Sequence, residues 1–168
     1  MLARQLVITA LFAAAAFGQP AADANQDRVF RFTHTGTVQD IQEIAATIRS
    51  MADIRQLSAD TTQKTLTLRG TTAQVGLAEW LFYEFDKPAS RPAPSPGSAT
   101  REYRLSDGGE DVTRVFQLQH TQSAQGLQEV ATLVRSMTDI RRLFIYTAPK
   151  MMALRGTEAQ VKFAEWLW

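Results

Sequence analysis

Cysteine is absent from this chain of 168 residues, and histidine occurs only twice. A fold without disulfides suits a bacterial periplasm better than it suits a small disulfide-stapled secreted protein. An excess of charge of either sign is also missing, since 18 Lys and Arg residues stand against 17 Asp and Glu residues. A nearly neutral chain has no electrostatic footprint for nucleic acid or for an anionic membrane surface. We therefore expect no nucleic-acid partner.

Residues 1–18 have the pattern of a secretory signal peptide. Arg4 is followed by an apolar run from Leu6 to Phe17, and Ala16 and Gly18 place small residues at the spacing that a signal peptidase reads. The alternative is a membrane anchor, but the run is shorter than the roughly 18 to 20 residues that span a bilayer. We predict cleavage before Gln19, export to the periplasm or beyond the cell, and no membrane span in the mature protein.

Most of the remaining chain is an internal duplication. The stretch from Val29 to Leu81 aligns without a gap on Val115 to Leu167, at an offset of 86 residues, with about half of the positions identical. A gapless match of this length predicts a duplicated domain rather than a short solenoid repeat. Four of the six prolines lie between the copies, in a segment rich in Pro, Ser and Ala that favours extended chain. We predict a first domain at 28–86, a linker at 87–111 and a second domain at 112–168, with its last helix cut short.

Each copy has the pattern of a strand, a helix, two strands and a second helix. Apolar and polar residues alternate in VFRFTH and VFQLQH, and apolar residues then recur three and four apart. At LRGT the third strand turns at Gly70 or Gly156 into a helix, whose Thr71 and Gln74, or Thr157 and Gln160, match a capping box. The predicted class is α+β, with two tandem βαββα domains, each a three-stranded sheet carrying two helices on one face. The segment 101–105 could add a strand to either.

Few residues point to chemistry. His34 and His120 occupy the same repeat position, and a small metal- or ligand-binding protein that uses both is the alternative reading, although neither has a Cys, a second His or a carboxylate at ligand spacing. Repeated charges such as Glu79 are expected to be solvated, and Arg49 with Asp53 has the i,i+4 spacing of a surface ion pair. No nucleophile or phosphate-loop motif is present. We predict no enzyme activity and no cofactor.

Aromatic residues give the candidate interaction surface. The 100° step of a helix places Trp80 and its repeat Trp166 at the margin of the buried stripe, beside Leu77 and its repeat Phe163. Each tryptophan either lids its own core or contacts a partner. The copies differ most where Ser58-Ala59-Asp60 becomes Phe144-Ile145-Tyr146, a strand that is apolar on both faces. Phe144 and Tyr146 must therefore meet the first domain, the linker or another protein, unless the difference is simple variation of the core.

The motifs resemble a known family. VFRFTHTGTVQDIQEIA, LTLRGTTAQV and the exit Asp86-Lys87-Pro88 are similar to the short periplasmic N-domain repeats of bacterial secretins, which build rings in type II and type III secretion and type IV pilus channels. The resemblance covers both copies. It implies a βαββα fold that packs against other envelope proteins or against itself, and we expect the printed chain to lack the secretins' channel-forming region.

Overall fold

The computed structural model describes residues 25–88, 101–105, 109–118, 123–147 and 150–167. The predicted signal peptide, His120 and most of the proline-rich stretch lie outside the described residues. The first repeated unit consists of β1 (Gln26–Arg31), α1 (Val38–Met51), β2 (Gln56–Asp60), β3 (Thr65–Gly70) and α2 (Thr72–Phe85). The second consists of β4 (Arg101–Arg104), β5 (Asp111–Gln117), α3 (Ala124–Thr138), β6 (Arg142–Tyr146), β7 (Met151–Thr157) and α4 (Glu158–Trp166).

Both units have antiparallel sheets, and the predicted α+β class is confirmed. The first sheet has the order β1-β3-β2, whereas the second has the order β4-β5-β7-β6. The prediction of three strands in each sheet is therefore wrong for the second sheet, where the segment 101–105 adds the strand that we considered possible. Arg101–Arg104 pairs along the free edge of β5 and lies within 87–111, the stretch that we predicted to be a linker. Proline-rich composition describes the start of that stretch and not its end.

The helices begin at side chains that satisfy their free N–H groups. Thr37 and Ser123 each accept a hydrogen bond from the backbone three residues later, at 3.1 and 3.0 Å. Thr71 and Thr157 form the capping boxes that their spacing predicts, with Gln74 and Gln160 as the reciprocal acceptors. The Leu-Arg-Gly-Thr motif is thus a corner that turns a strand into a capped helix in both copies.

The layers of the described chain stack in the order sheet, helices, sheet, helices. On one side α1 and α2 pack on the first sheet, through Ile44 and Phe82 on the helices and Phe30 and Leu66 on the strands. On the other side they pack on the back of the second sheet, since the same core cluster includes residues of β5, β6 and β7. The α3 and α4 helices cover the opposite face of that second sheet. Because α2 is covered from both sides, it is apolar around most of its circumference.

Asp86, directly after α2, ties the end of that helix to the turn that follows β1. Its carboxylate accepts five hydrogen bonds of 2.7–3.0 Å, three from backbone N–H groups and two from hydroxyls, from Thr33, His34 and Thr35. Burial alone would raise the pKa of Asp86, but the hydrogen bonds from Thr33, Thr35 and His34 outweigh it and hold this pKa below its usual value of 3.8. The five donors therefore stabilise the ionised form of the Asp86 carboxylate.

The variant Asp86→Asn is expected to lower the free energy of unfolding at pH 7 by about 2 kcal/mol, because one end of the amide would point N–H groups at N–H donors. The depressed pKa means that the wild-type contribution is complete above about pH 4 and is lost as the pH falls through the folded value. Urea unfolding at pH 7 and at pH 3 should show the gap between wild type and variant narrowing in acid.

Glu79→Gln is the matched control, since Glu79 is exposed on α2 and the change removes the same charge. It should alter the free energy of unfolding by less than about 0.5 kcal/mol. Equal losses for the two variants, or a gap that stays constant into acid, would contradict the assigned role of Asp86.

Candidate interaction surface

The back of the second sheet, which is the face that packs on α1 and α2, forms a helix-on-sheet junction between the two units. Val115, Ala153 and Phe144 lie side by side across three strands, and Met151 and Tyr146 are paired in the next row. All five belong to or pack on the core of the first unit, with Ala153 fully buried and Tyr146 only 6% exposed. Alternate residues of the same strands, such as Leu143 and Met152, face α3 and α4 instead. The strand that is apolar on both faces is therefore covered on both faces.

Aromatic contacts mark the two edges of this junction. The Trp80 ring of α2 packs against Tyr103 of β4, with ring centroids 5.7 Å apart. The Tyr146 ring meets Phe85 edge-on at 5.8 Å. Burial, with a further contribution from the charge of Asp40, raises the pKa of Tyr146 to about 12. The marginal tryptophan of the first copy thus has a neighbour from the second unit.

A polar clamp fixes one end of the junction. Arg155 of β7 donates to the carbonyl oxygen of Met51 at 2.6 Å and reaches the carboxylate of Asp53 at 3.4 Å, and Arg142 donates to the same carboxylate at 2.8 Å. Asp53 has a φ of 54°, just beyond the end of α1. The predicted pair of Arg49 with Asp53 is wrong, because the helix ends at Met51 and the i,i+4 spacing no longer applies. Arg49 donates instead to the carbonyl of Leu57 at 2.6 Å.

The outer face of α3 and α4 corresponds to the side of α1 and α2 that forms this junction, but it is exposed. Four large apolar side chains are exposed there: Leu133 by 48%, Met137 by 48%, Phe163 by 39% and Trp166 by 76%. The rings of Phe163 and Trp166 are stacked with their centroids 6.0 Å apart. We call these four residues the free helical face.

The duplication supplies a direct comparison for the free helical face. At the offset of 86 residues its members correspond to four positions in α1 and α2: Thr47, Met51, Leu77 and Trp80. Met51 and Leu77 share a core cluster with residues of the second sheet, and Trp80 packs against Tyr103 of that sheet. Met51 and Leu77 have no exposed surface at all, and Thr47 is only 4% exposed. The same structural positions are therefore covered in one copy and open in the other. The open copy is the more apolar of the two, because leucine replaces Thr47 and phenylalanine replaces Leu77.

The six residues predicted for interaction fall into two groups. Four lie in the junction inside the chain: Leu77, Trp80, Phe144 and Tyr146. Phe163 and Trp166 lie on the free helical face. The sequence reasoning missed Leu133, Met137 and Tyr103. The replacement of Thr47 by Leu133 between the copies was the available signal, since a solvated helix face gives no reason for that change.

The described residues contain little that suggests chemistry. The ring Nδ1 of His34 lies 3.1 Å from the carbonyl oxygen of Asp86 and 2.9 Å from the hydroxyl of Thr33, while His120 lies outside the described residues. Within the described ranges no three His, Cys, Asp or Glu side chains are grouped so that they could hold a metal ion. None of the described helices combines the length and the apolar character needed to cross a bilayer.

Comparison with known proteins gives a weak structural likeness. No protein-family model and no curated protein matches the chain. The N-terminal domain of the secretin XcpQ from Pseudomonas aeruginosa overlays with a TM-score of 0.35 at 13% identity, covering 85% of this chain and 62% of that one. Aeromonas hydrophila ExeD overlays with a TM-score of 0.31 at 8% identity, covering 86% of this chain and 27% of that one. The chain thus spans less than two thirds of either protein, and the function has to be argued from its own geometry.

A charge placed in the junction should separate the two units. Ala153→Glu buries an unpaired carboxylate between α1, α2 and the second sheet, so the free energy of unfolding is expected to fall by about 3 kcal/mol or more. Chemical denaturation followed by circular dichroism measures the change.

The duplication provides the control, Thr67→Glu, which makes the corresponding change on the exposed outer face of the first sheet. At low protein concentration this variant should stay within about 0.5 kcal/mol of wild type. A similar loss for both variants would mean that the two units are not held together through this face.

Proposed function

We propose that this chain is a non-enzymatic, exported protein–protein interaction or assembly module of the cell envelope, similar in its working principle to secretin N-domain repeats. The observation that carries the proposal is the free helical face. It consists of exposed apolar side chains on two helices that contact each other, and the counterparts of these helices in the same chain are covered by a sheet. Large exposed apolar patches on a folded protein mark sites of interaction.

Three further features support the proposal. Aromatic residues and methionine are enriched at protein interfaces, and Trp166, Phe163 and Met137 supply both kinds. The near-neutral composition points to a protein partner rather than to nucleic acid. The leader-like residues 1–18 and the lack of cysteine favour an envelope location, and the sequence motifs resemble modules that work there.

Site-specific photocrosslinking tests the proposal in the envelope of cells that produce the full chain. A photoreactive phenylalanine derivative at position 166 is expected to give an adduct with another protein chain, because an exposed hot-spot aromatic lies within contact distance of its partner. Gel mobility and mass spectrometry identify the adduct.

Position 83 is the matched control. Tyr83 is also an exposed aromatic residue, at 57%, but it lies on α2 outside the free helical face. It should give little or no adduct. The absence of an adduct from position 166, or equal adducts from both positions, would overturn the proposed function.

A further inference from the structure

The outer face of the first sheet corresponds, at the offset of 86 residues, to the face of the second sheet that forms the junction, and most of its side chains are exposed. Val29, Thr67 and Ser58 lie side by side across β1, β3 and β2, in the same register as Val115, Ala153 and Phe144 of the second sheet. Val29 is 65% exposed, whereas its counterpart Val115 is 5% exposed. The chain therefore displays a sheet face at one end of its stack of layers and a helical face at the other.

The counterparts of the residues that form the polar clamp are divided between these two free faces. Arg69 is the counterpart of Arg155, and its side chain is 52% exposed, with Asp27 at 3.8 Å as an ion-pair partner. Asp139 is the counterpart of Asp53, is exposed, and has a φ of 56° against 54° for Asp53. Each aspartate follows the end of its helix and has a left-handed φ, so Asp139 offers an arginine a carboxylate at the position where Asp53 offers one to Arg155.

The sizes of the side chains on the two free faces are complementary. In the junction, Leu77 of α2 shares one core cluster with the bulky sheet residues Phe144 and Met151. Thr47 of α1 is small and buried. On the free faces the arrangement is reversed. The helices carry the larger Leu133 and Phe163, and the sheet carries the smaller Ser58 and Thr65 at the positions of Phe144 and Met151. Close packing across a helix-on-sheet contact depends on the total volume of both sides, and the larger helical side chains offset part of the volume that the smaller sheet residues leave.

We propose that the occupant of the free helical face is the outer face of the first sheet of a second copy of this chain. The contact repeats the internal junction, with Arg69 of one copy placed against Asp139 of its neighbour and Val29 packed among the apolar side chains of α3 and α4. The inference rests on the proposed function and adds the identity of the partner. The contact of Tyr103 with Trp80 has no counterpart there, since the described first sheet ends at β1, so the Trp166 ring lies against that sheet edge.

Charge reversal at the clamp tests the proposal with the full mature chain. Arg69→Asp places two aspartates at the contact, and Asp139→Lys places two cations there, so each variant alone should self-associate at least about tenfold more weakly than wild type. Lysine suits position 139 because Lys64 and Lys150 already adopt φ values of 52° and 53° in this fold. Sedimentation velocity over a range of concentrations, at low and at high salt, measures the association.

Mixing the two variants separates a head-to-tail contact from any other mode of self-association. In an equimolar mixture every interface between unlike copies joins opposite charges, so association should return to near the wild-type level. Arg28→Asp is the control, because Arg28 is exposed on β1 but alternates with Val29 and so belongs to the opposite side of the strand. It should leave association unchanged. Circular dichroism and the unfolding midpoint of each variant establish that it is folded. Arg69→Glu or Asp139→Arg, which reverse the same charges, replaces a variant that is not.

The outcomes divide clearly. Weakened single variants with recovery in the mixture support the proposal. If both single variants associate as strongly as wild type, or if the mixture does not recover, the proposal is overturned in favour of another contact between copies. A wild-type chain that stays monomeric while position 166 crosslinks to a different protein overturns it and leaves the proposed function standing. A monomeric chain without an adduct at position 166 overturns both.

Discussion

The architecture depends on one constraint, namely that α2 is apolar around most of its circumference and, together with the buried side of α1, has to be covered from two sides. The first sheet covers one side through Phe30, Leu66 and Leu68. Water on the other side would leave Leu77 and Met51 exposed, both of which are fully buried in the fold. At roughly 25 cal/mol for each square ångström of apolar surface, exposing several such side chains would cost a domain of this size much of its stability. The back of the second sheet removes that cost, and two units that are each small for independent folding share one core.

This constraint explains why the two copies diverged where they did. The second sheet has helices on both faces, so β6 and β7 are apolar on both, with Phe144 and Met151 on one face and Leu143 and Met152 on the other. The first sheet has helices on one face, so the equivalent residues on its other face are Ser58 and Thr65. Within one chain, therefore, the sheet face that is covered is apolar and the sheet face that is exposed is more polar. The helices do not follow the same rule, because the free helical face is exposed and yet more apolar than the covered one. That departure from the rule is the strongest sign of a missing neighbour.

Local patterns in the sequence predicted the local structure well. The Thr-x-x-Gln spacing gave both capping boxes, and the strand-to-helix corner at Gly70 and Gly156 lies where the motif places it. The helical period placed Trp80 at the margin of its helix, and the double apolar pattern of β6 required a second contact on that strand. The location of that contact could not be read from the pattern, because Phe144 meets residues of α1 and α2 far away in the chain. The same limit applies to β4, because the sequence left open which of the two sheets the segment 101–105 would join. It also applies to Asp53, whose ion pairs with Arg142 and Arg155 cross from one unit to the other.

The clamp matters because apolar contact alone does not determine register. Hydrophobic attraction is non-directional, and a helix pair could slide along a sheet at little cost. Within the chain, Arg155 and Arg142 on the sheet hold the end of α1 through the Met51 carbonyl and the Asp53 carboxylate, which fixes one alignment. The outer face of the first sheet and the free helical face are different surfaces, so a contact between them is heterologous. In every pair of copies, one sheet face and one helical face therefore remain free to bind a further copy. Copies joined in this way add along the stacking direction until the rotation between neighbours closes a ring or continues as a filament. Arg69 and Asp139 then do more than add attraction, because they determine the rotation at every step.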